Sequence, residues 1–307
     1  MRKMISLKKP RQIHSGLSDR ATTWAFLLPT FVVLCITAFA PLAYSFWLSF
    51  NSFKLNQPNA TPVFIGLQNY IELFHDERFW IATWNTTIFA CGTVILELFF
   101  GVLLAMFLCK DSKFNRIAIS IFLIPMIMAP VASGTLWRMM MDRTTGVVNY
   151  FLSLIGIEPI AFLGDVRYAL ASVMFVDVWR LTPWVTILVV SALKGIPGNT
   201  IEAAVIDGAS KFKVFRYIVL PYLKPVVIIV LMLRLVDAFK VFDTVYVMTS
   251  GGPGTATSML PNFIYNQGLK YFNGGYSAAA AFVFLFAMTL VSVVFIRIRN
   301  RVNDETR

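Results

Sequence analysis

The sequence predicts an all-α, polytopic membrane protein with six transmembrane helices, and three observations carry that prediction. Of its 307 residues 57% are hydrophobic and only 14% charged, with a mean hydropathy of +0.69; soluble domains carry about a quarter charged residues. Six apolar runs recur along the chain, each near the ~20 residues that cross about 30 Å of hydrocarbon as a helix. The polar segments between them hold basic residues on alternate sides.

The first run extends from Trp24 to about Phe50 and contains Pro29 and Pro41, after a basic segment over 1–23 that holds Arg2, Lys3, Lys8, Lys9, Arg11 and Arg20. It is too long for the apolar stretch of a secretory leader, and Asn and aromatic residues follow it where a leader has small residues for cleavage. It reads as a retained span. A polar segment from Asn51 to about Thr83 leads to further spans over about Asn85–Cys109, Ile117–Met141, Tyr168–Leu193, Leu223–Met248 and Ala278–Ile296. The chain divides into a tail over 1–23, a membrane domain over 24–296 with a long polar loop at 195–222, and a tail over 297–307.

Loop charge sets the orientation. Segments on the side of the N-terminus hold six, three, five and four Lys or Arg, eighteen in all, against five on the other side (Lys54, Arg78, Arg143, Arg167 and Lys270). Basic residues stay with the cytoplasm, so both termini and the 195–222 loop are expected inside. The same rule accounts for the net charge of +11. A nucleic-acid partner is not expected, because no basic segment sits in a soluble domain large enough to be a binding module. Cys35, Cys91 and Cys109 lie in or beside apolar runs and read as small hydrophobes, with neither a disulfide framework nor metal-ligand spacing.

On the outer side, Val147, Val148, Tyr150, Phe151, Leu154 and Ile155 form a run too short to span, which suits an interfacial or re-entrant helix. The segment after the fifth span begins and ends in glycine pairs around Phe263, Tyr265, Tyr271, Phe272 and Tyr276, as expected of an aromatic element at the membrane surface.

Two features remain. The fifth span carries Arg234, Asp237, Lys240 and Asp243, signs alternating at a spacing of three, so each neighbours the next along one helix. Unpaired, each charge at a span centre costs about 2.5–3.5 kcal/mol, so the set either satisfies itself in ion pairs or lines a water-filled path for a polar solute. Trp179 and Arg180, in VWRLTPW of the fourth span, are candidates to join them. Glu97 is a further intramembrane carboxylate, whose partner the sequence does not name.

The second feature is the polar island PGNTIEAAVIDGASKFKVFRYIVLP, Pro197 to Pro221. Asn199 three residues before Glu202 resembles a capping box, and predicts a short helix through Glu202, Ala203 and Ala204 to Asp207. Gly208, free to adopt positive φ, ends it. A second amphipathic run, Phe212, Phe215 and Ile218 with Lys211, Lys213 and Arg216 between, ends at Leu220-Pro221 and is expected to anchor the loop on its own helices.

No GxxxxGK(S/T) phosphate loop is present, nor HExxH, CxxC or GxSxG. His14 and His75 stand apart from each other in polar segments, and no nucleophile is paired with a base.

The segment EAAVIDGASKFKVFRYIVLP, with Glu202-Ala203-Ala204, Asp207-Gly208-Ala209, Phe215 and Leu220-Pro221, is similar to the EAA loop of the permeases of binding-protein-dependent ABC importers. LIPMIMAPVASGTLWRMM, TTGVVNYFLSLIG, DVWRLTPW, FDTVYVMTSGGPGTAT and FNGGYSAAAAF resemble the carbohydrate-uptake, maltose and glycerol-phosphate branch of that family, so the likeness covers about Trp24 to Arg297. It implies a type I ABC importer permease fold in a bacterial inner membrane, moving a sugar or sugar-like solute. Glu202, Ala203, Ala204, Asp207, Gly208, Ala209 and Phe215 would be the docking segment for a separate ATPase. The partners implied are a second, homologous permease, two ABC ATPases carrying the ATP and Mg, and an extracytoplasmic solute-binding protein; this chain binds no cofactor and is no enzyme. Two alternatives stay open: an ion-coupled secondary transporter, disfavoured by the absence of an internal repeat, and a permease of this family for a polyol, glycerol phosphate or anionic sugar derivative.

Overall fold

The computed structural model describes residues 19–305 apart from Pro58 and Ala60. Most of the basic segment expected over 1–23, His14 with it, and Arg307 of the C-terminal tail lie outside the described residues.

Among the described residues, five helices are long and apolar enough to cross a membrane: α1 (Phe26–Leu48), α3 (Glu77–Leu108), α7 (Val166–Lys194), α9 (Lys211–Phe239) and the apolar part, Gly274–Arg299, of α12 (Gly274–Glu305). A further apolar pair, α4 (Lys113–Ile127) and α5 (Pro130–Met140), is bent by 96° at its junction and makes a sixth span if the two pieces are counted as one broken span. Shorter helices decorate the loops: α2 (Gln68–His75), α6 (Val147–Leu154), α8 (Gly198–Ile206), α10 (Asp243–Met248) and α11 (Leu260–Tyr265). The one sheet among the described residues is a pair of two-residue strands, β1 (Asn51–Ser52) antiparallel to β2 (Val63–Phe64), with Asn51 opposite Phe64.

Helix ends follow local chemistry. Asp76 and Asp165 cap α3 and α7, each carboxylate accepting from the backbone N–H two residues on at 2.9 Å. This satisfies a donor that a helix start leaves orphaned. Between α5 and α6 the Asp142 carboxylate gathers N–H and O–H bonds from Thr145 and Thr144, which hold its pKa well below the usual carboxylate range and fix the turn. Near the start of α3, Asn69 donates to the carbonyls of Ser49 and Asn51, and the Tyr276 hydroxyl donates to Asp76 at 3.0 Å, tying α12 to the start of α3.

Three sequence expectations are corrected here. The third span, expected unbroken over Ile117–Met141, breaks before Pro130, where Met128 and Ala129 are extended with ψ of 137° and 140°. The ring of a proline disfavours the helical region for the residue before it. The fifth span, expected over Leu223–Met248, stops at Phe239 and resumes as α10. At its other end the run Phe212 to Ile218 is not a separate short helix; it is the first part of α9. A π-helical turn over Phe215–Val219, closed by the Leu220 N–H bonding to the Phe215 carbonyl, carries it past Pro221, which supplies no N–H and would crowd the preceding turn. Smaller differences are of length: α3 begins at Glu77, before Asn85, and α12 continues beyond Ile296 to Glu305.

The helices α3, α7 and α9 form the centre. One apolar cluster joins Ala105, Val185, Val189, Leu223 and Val230, a second joins Phe89, Val173, Val176 and Met248, and a third joins Ala90, Val94 and Ala238. The α3–α7 seam closes at Gly101, where a Cβ would come within 2.6 Å of Val185 Cγ1. Gly101→Ala is therefore expected to lower the thermal midpoint of the purified protein by overpacking, at about 1–3 kcal/mol. Adding Val185→Ala should restore part of that loss; an unchanged midpoint in Gly101→Ala would refute the tight seam.

Candidate functional site

Between those apolar layers lies a group of charges. Arg234 of α9 is 3% exposed and donates from Nε and Nη2 to the two carboxylate oxygens of Glu97 on α3, at 2.7 and 2.9 Å. The same guanidinium reaches Asp177 of α7 from Nη2 at 3.2 Å and Asp237, one turn further along α9, from Nη1 at 2.7 Å. Asp177 also accepts from Arg180 at 3.2 Å. One arginine thus joins three spans, using the fork geometry that lets a guanidinium serve several acceptors at once. Glu97, named from sequence without a partner, finds it here. Asp177 was not singled out by sequence reasoning, although its place three residues before Arg180 on a helix is the signal that marks it.

The ladder expected along one helix is divided. Arg234 and Asp237 belong to α9, Lys240 follows its last residue, and Asp243 opens α10. A cation at a helix C-terminus and an anion at the next N-terminus each complement the local end of the macrodipole, so the break is matched to the charges it separates. Lys240 stands 4.0 Å from Asp237, and Asp243 makes no ion pair among the described residues. Alternating sign therefore does not mean successive pairing: the ladder ends at Lys240.

These side chains line a cavity of about 220 Å³ that touches Asp177, Arg180, Arg234, Asp237, Lys240 and Asp243. Pro130, at the bend between α4 and α5, lies on its wall as well. Both breaks in the spans therefore face one space. Non-helical backbone at membrane depth is tolerated where it lines a water-filled cavity, and the cavity shows why the breaks occur where they do. Asp237 and Lys240 are 61% and 57% exposed, whereas Glu97 and Asp177 are 0% and 3%. Arg180 is mostly enclosed, and its buried Nε has no hydrogen-bond partner. Trp179 is not part of the cavity lining; its ring packs edge-on against Trp137 at 5.4 Å, and Trp137 in turn against Phe175. The cavity is thus a polar recess with an aromatic brace behind it.

The second expected site is α8 and its exit. The capping box does not form: α8 starts at Gly198 behind Pro197, with no side-chain cap, and Asn199 lies inside it. Its end is as expected. Gly208 has φ +76°, the Gly208 N–H donates to the Val205 carbonyl at 3.0 Å and the Ala209 N–H to the Ala204 carbonyl at 2.9 Å. This is a Schellman motif, and it explains the order of residues in EAAVIDGA: small Ala204 and Ala209 face each other across the turn that only glycine makes without strain. Ser210 then caps the start of α9 by accepting from the Lys213 N–H. Glu202, Ala203, Val205, Ile206 and Asp207 face outward, with Ile206 84% and Val205 60% exposed. Phe215 and Ile218 are half-buried, as an anchoring face requires, but Phe212 is 73% exposed and belongs to the outward surface instead.

Comparison with known proteins bears on both sites. The profile of the family described as binding-protein-dependent transport system inner membrane component matches residues 8–306. The chain is 33% identical to a probable ABC transporter permease protein, y4oQ, of Sinorhizobium fredii, over 95% of this chain and 93% of that one. It is 35% identical to the trehalose/maltose transport system permease protein MalF of Thermococcus litoralis, over 90% and 94%. In fold it is similar to a chain of a bacterial alginate ABC transporter in complex with its pentasaccharide-bound periplasmic protein, with a TM-score of 0.81 at 21% identity, covering 95% of this chain and 98% of that one.

The ion cluster predicts a contrast within a single network. Asp177→Ala removes one enclosed acceptor shared by Arg234 and Arg180 and should lower stability by about 3–5 kcal/mol, whereas Asp237→Ala removes an acceptor that is 61% exposed and that cavity water can replace at Arg234 Nη1, and should cost clearly less. Thermal unfolding of the two variants in detergent measures the difference, and equal midpoints would contradict the assigned geometry.

Proposed function

The chain belongs to the inner membrane components of binding-protein-dependent transport systems, and from that premise we propose that it is the permease through which an ATP-driven importer moves a sugar or sugar-like solute. It is a multi-pass membrane protein, and ATP hydrolysis resides in a separate subunit. The observation that carries the reading is α8: a short helix closed by the Gly208 motif, with Val205 and Ile206 turned to solvent. A chain that folds so much local structure around exposed apolar residues has made a docking surface. In this reading Glu202 and Asp207 offer carboxylates to donors on an ATPase, while Ala203 and Ala204 permit close approach. Closure of two such ATPases on ATP and Mg moves α8, and α9 carries the displacement as a rigid body toward the charged cavity.

The remaining partners are a second, similar permease and an extracytoplasmic solute-binding protein, with lipid around the spans and no nucleic acid. Charge asymmetry of the loops supports an orientation with both termini and α8 on the cytoplasmic side.

Similarity to the trehalose/maltose permease supports a carbohydrate. The cavity supports a neutral one: it presents three cations, Arg180, Arg234 and Lys240, with three carboxylates, Asp177, Asp237 and Asp243, and Arg234 is already engaged with Glu97. Balanced charge favours a solute that both donates and accepts hydrogen bonds, as hydroxyl groups do, over glycerol phosphate or an anionic sugar. A polyol meets the same condition and is the second reading.

Gly208→Asp meets no steric obstacle, since nothing lies within 4 Å of a Cβ there, yet it forces a side chain into a left-handed conformation at about 1–2 kcal/mol. Together with Asp207→Lys it should abolish solute-stimulated ATP hydrolysis and uptake in the assembled importer. Uptake surviving both changes would refute the docking role of α8. Asp237→Ala should lower uptake while the complex still assembles; normal uptake would return the cavity charges to ion pairing alone.

A further inference from the structure

A groove of about 380 Å³ lies between α8 and the ends of α3, α7 and α9, walled by Met106, Leu193, Ile201, Val205, Val214 and Phe215, with Lys194 and Lys211 also on its lining. The charged cavity does not use it, and of the two exposed apolar residues of α8 it takes Val205 but not Ile206. Its charges are unequal: Lys194 is held at 2.6 Å from Asp111, whereas Lys211 makes no ion pair among the described residues. Around it the segments 110–116 and 194–224 carry eight basic residues and three acidic ones. Tyr217 and Tyr222 are exposed on the same stretch of α9, at 73% and 51%. Tyrosine and lysine at a span end mark the headgroup level of a membrane. The turn of α9 that meets the groove is the π-helical one beginning at Phe215, and such turns are frequent at functional sites.

We propose that this groove binds an anionic phospholipid, with an acyl chain against Met106, Val205 and Phe215 and the phosphate on Lys211. Charge complementarity selects the occupant: basic recesses between spans at the cytoplasmic surface take acidic headgroups, and the apolar floor of Met106, Leu193, Val214 and Phe215 takes the chain. Placement at the inner leaflet rests on the orientation proposed above. The lipid then lies between α8 and α9, meets the edge of the docking surface at Val205, and packs α8 against α9.

The test uses the assembled importer in nanodiscs of phosphatidylcholine with a small fraction of phosphatidylglycerol carrying an acyl-chain diazirine. Photolabelling is read by peptide mapping without ATP or solute, so its result is independent of whether the chain couples to an ATPase. Label concentrated on residues 193–219 and on Met106, displaced by unlabelled phosphatidylglycerol and not by phosphatidylcholine, is the expected result. Lys211→Glu should cut that label at least about fivefold, the factor that about 1 kcal/mol per basic residue corresponds to, and Ala209→Trp should block it by filling the groove. Lys213→Glu, off the groove, should leave it unchanged. Label spread evenly over all spans, equal displacement by phosphatidylcholine, or equal loss in Lys213→Glu and Lys211→Glu would overturn the proposal. So would labelling of the isolated permease that disappears in the full complex, because a protein subunit would then be the occupant.

Discussion

Arg234 cannot be left alone in the middle of a membrane, and the arrangement of the helices follows from how it is satisfied. Its guanidinium needs acceptors in several directions, and Glu97, Asp177 and Asp237 supply them from α3, α7 and α9 itself. To bring Glu97 and Asp177 within reach of one side chain, α3 and α7 must pack closely, which is the part played by Gly101 against Val185. Glu97, Asp177 and Arg234 are enclosed among the apolar clusters of α3, α7 and α9, and Asp237 and Lys240 open on the cavity. A buried ion pair is weak evidence of stability, since desolvation offsets most of its attraction. Its value here is geometric: it allows only one register of three spans.

The same helix that carries Arg234 begins at the exit of α8. Between Lys211 and Phe239 the backbone is continuous apart from the π-helical turn at Phe215–Val219, so one helix links the exit of α8 to the charged cavity. At the far end the chain is interrupted twice around a single cavity, before Pro130 and after Lys240. These interruptions place extended backbone and helix ends beside the charged cavity, where small movements change its shape without breaking a hydrogen-bonded span.

Much of this was legible in the sequence. Composition and run length gave the spans, because crossing lipid demands ~20 apolar residues whatever the tertiary packing. The Gly208 break was readable because only glycine adopts that backbone without strain, and α6 was readable as a helix too short to cross. The break before Pro130 was masked by apolar residues on both sides, which satisfy hydropathy equally whether the helix is straight or bent by 96°. The division of the ladder was hidden for a related reason: a spacing of three describes neighbours only if the helix continues, and Lys240 and Asp243 sit where it stops. Asn199 and Glu202 matched a capping pattern, yet Pro197 and Gly198 moved the helix start upstream of them. The partner of Glu97 lies 137 residues away in the chain, and no local spacing encodes such a pair.

The central claim is that Arg234 holds three spans through charges that must be balanced. Its most direct test is the thermal midpoint of the purified importer carrying Arg234→Gln alone, compared with Arg234→Gln combined with Glu97→Gln and Asp177→Asn. The single change strands buried carboxylates and should lose about 3–5 kcal/mol, and the neutral triple variant should recover most of it. A triple variant less stable than the single one would contradict the account.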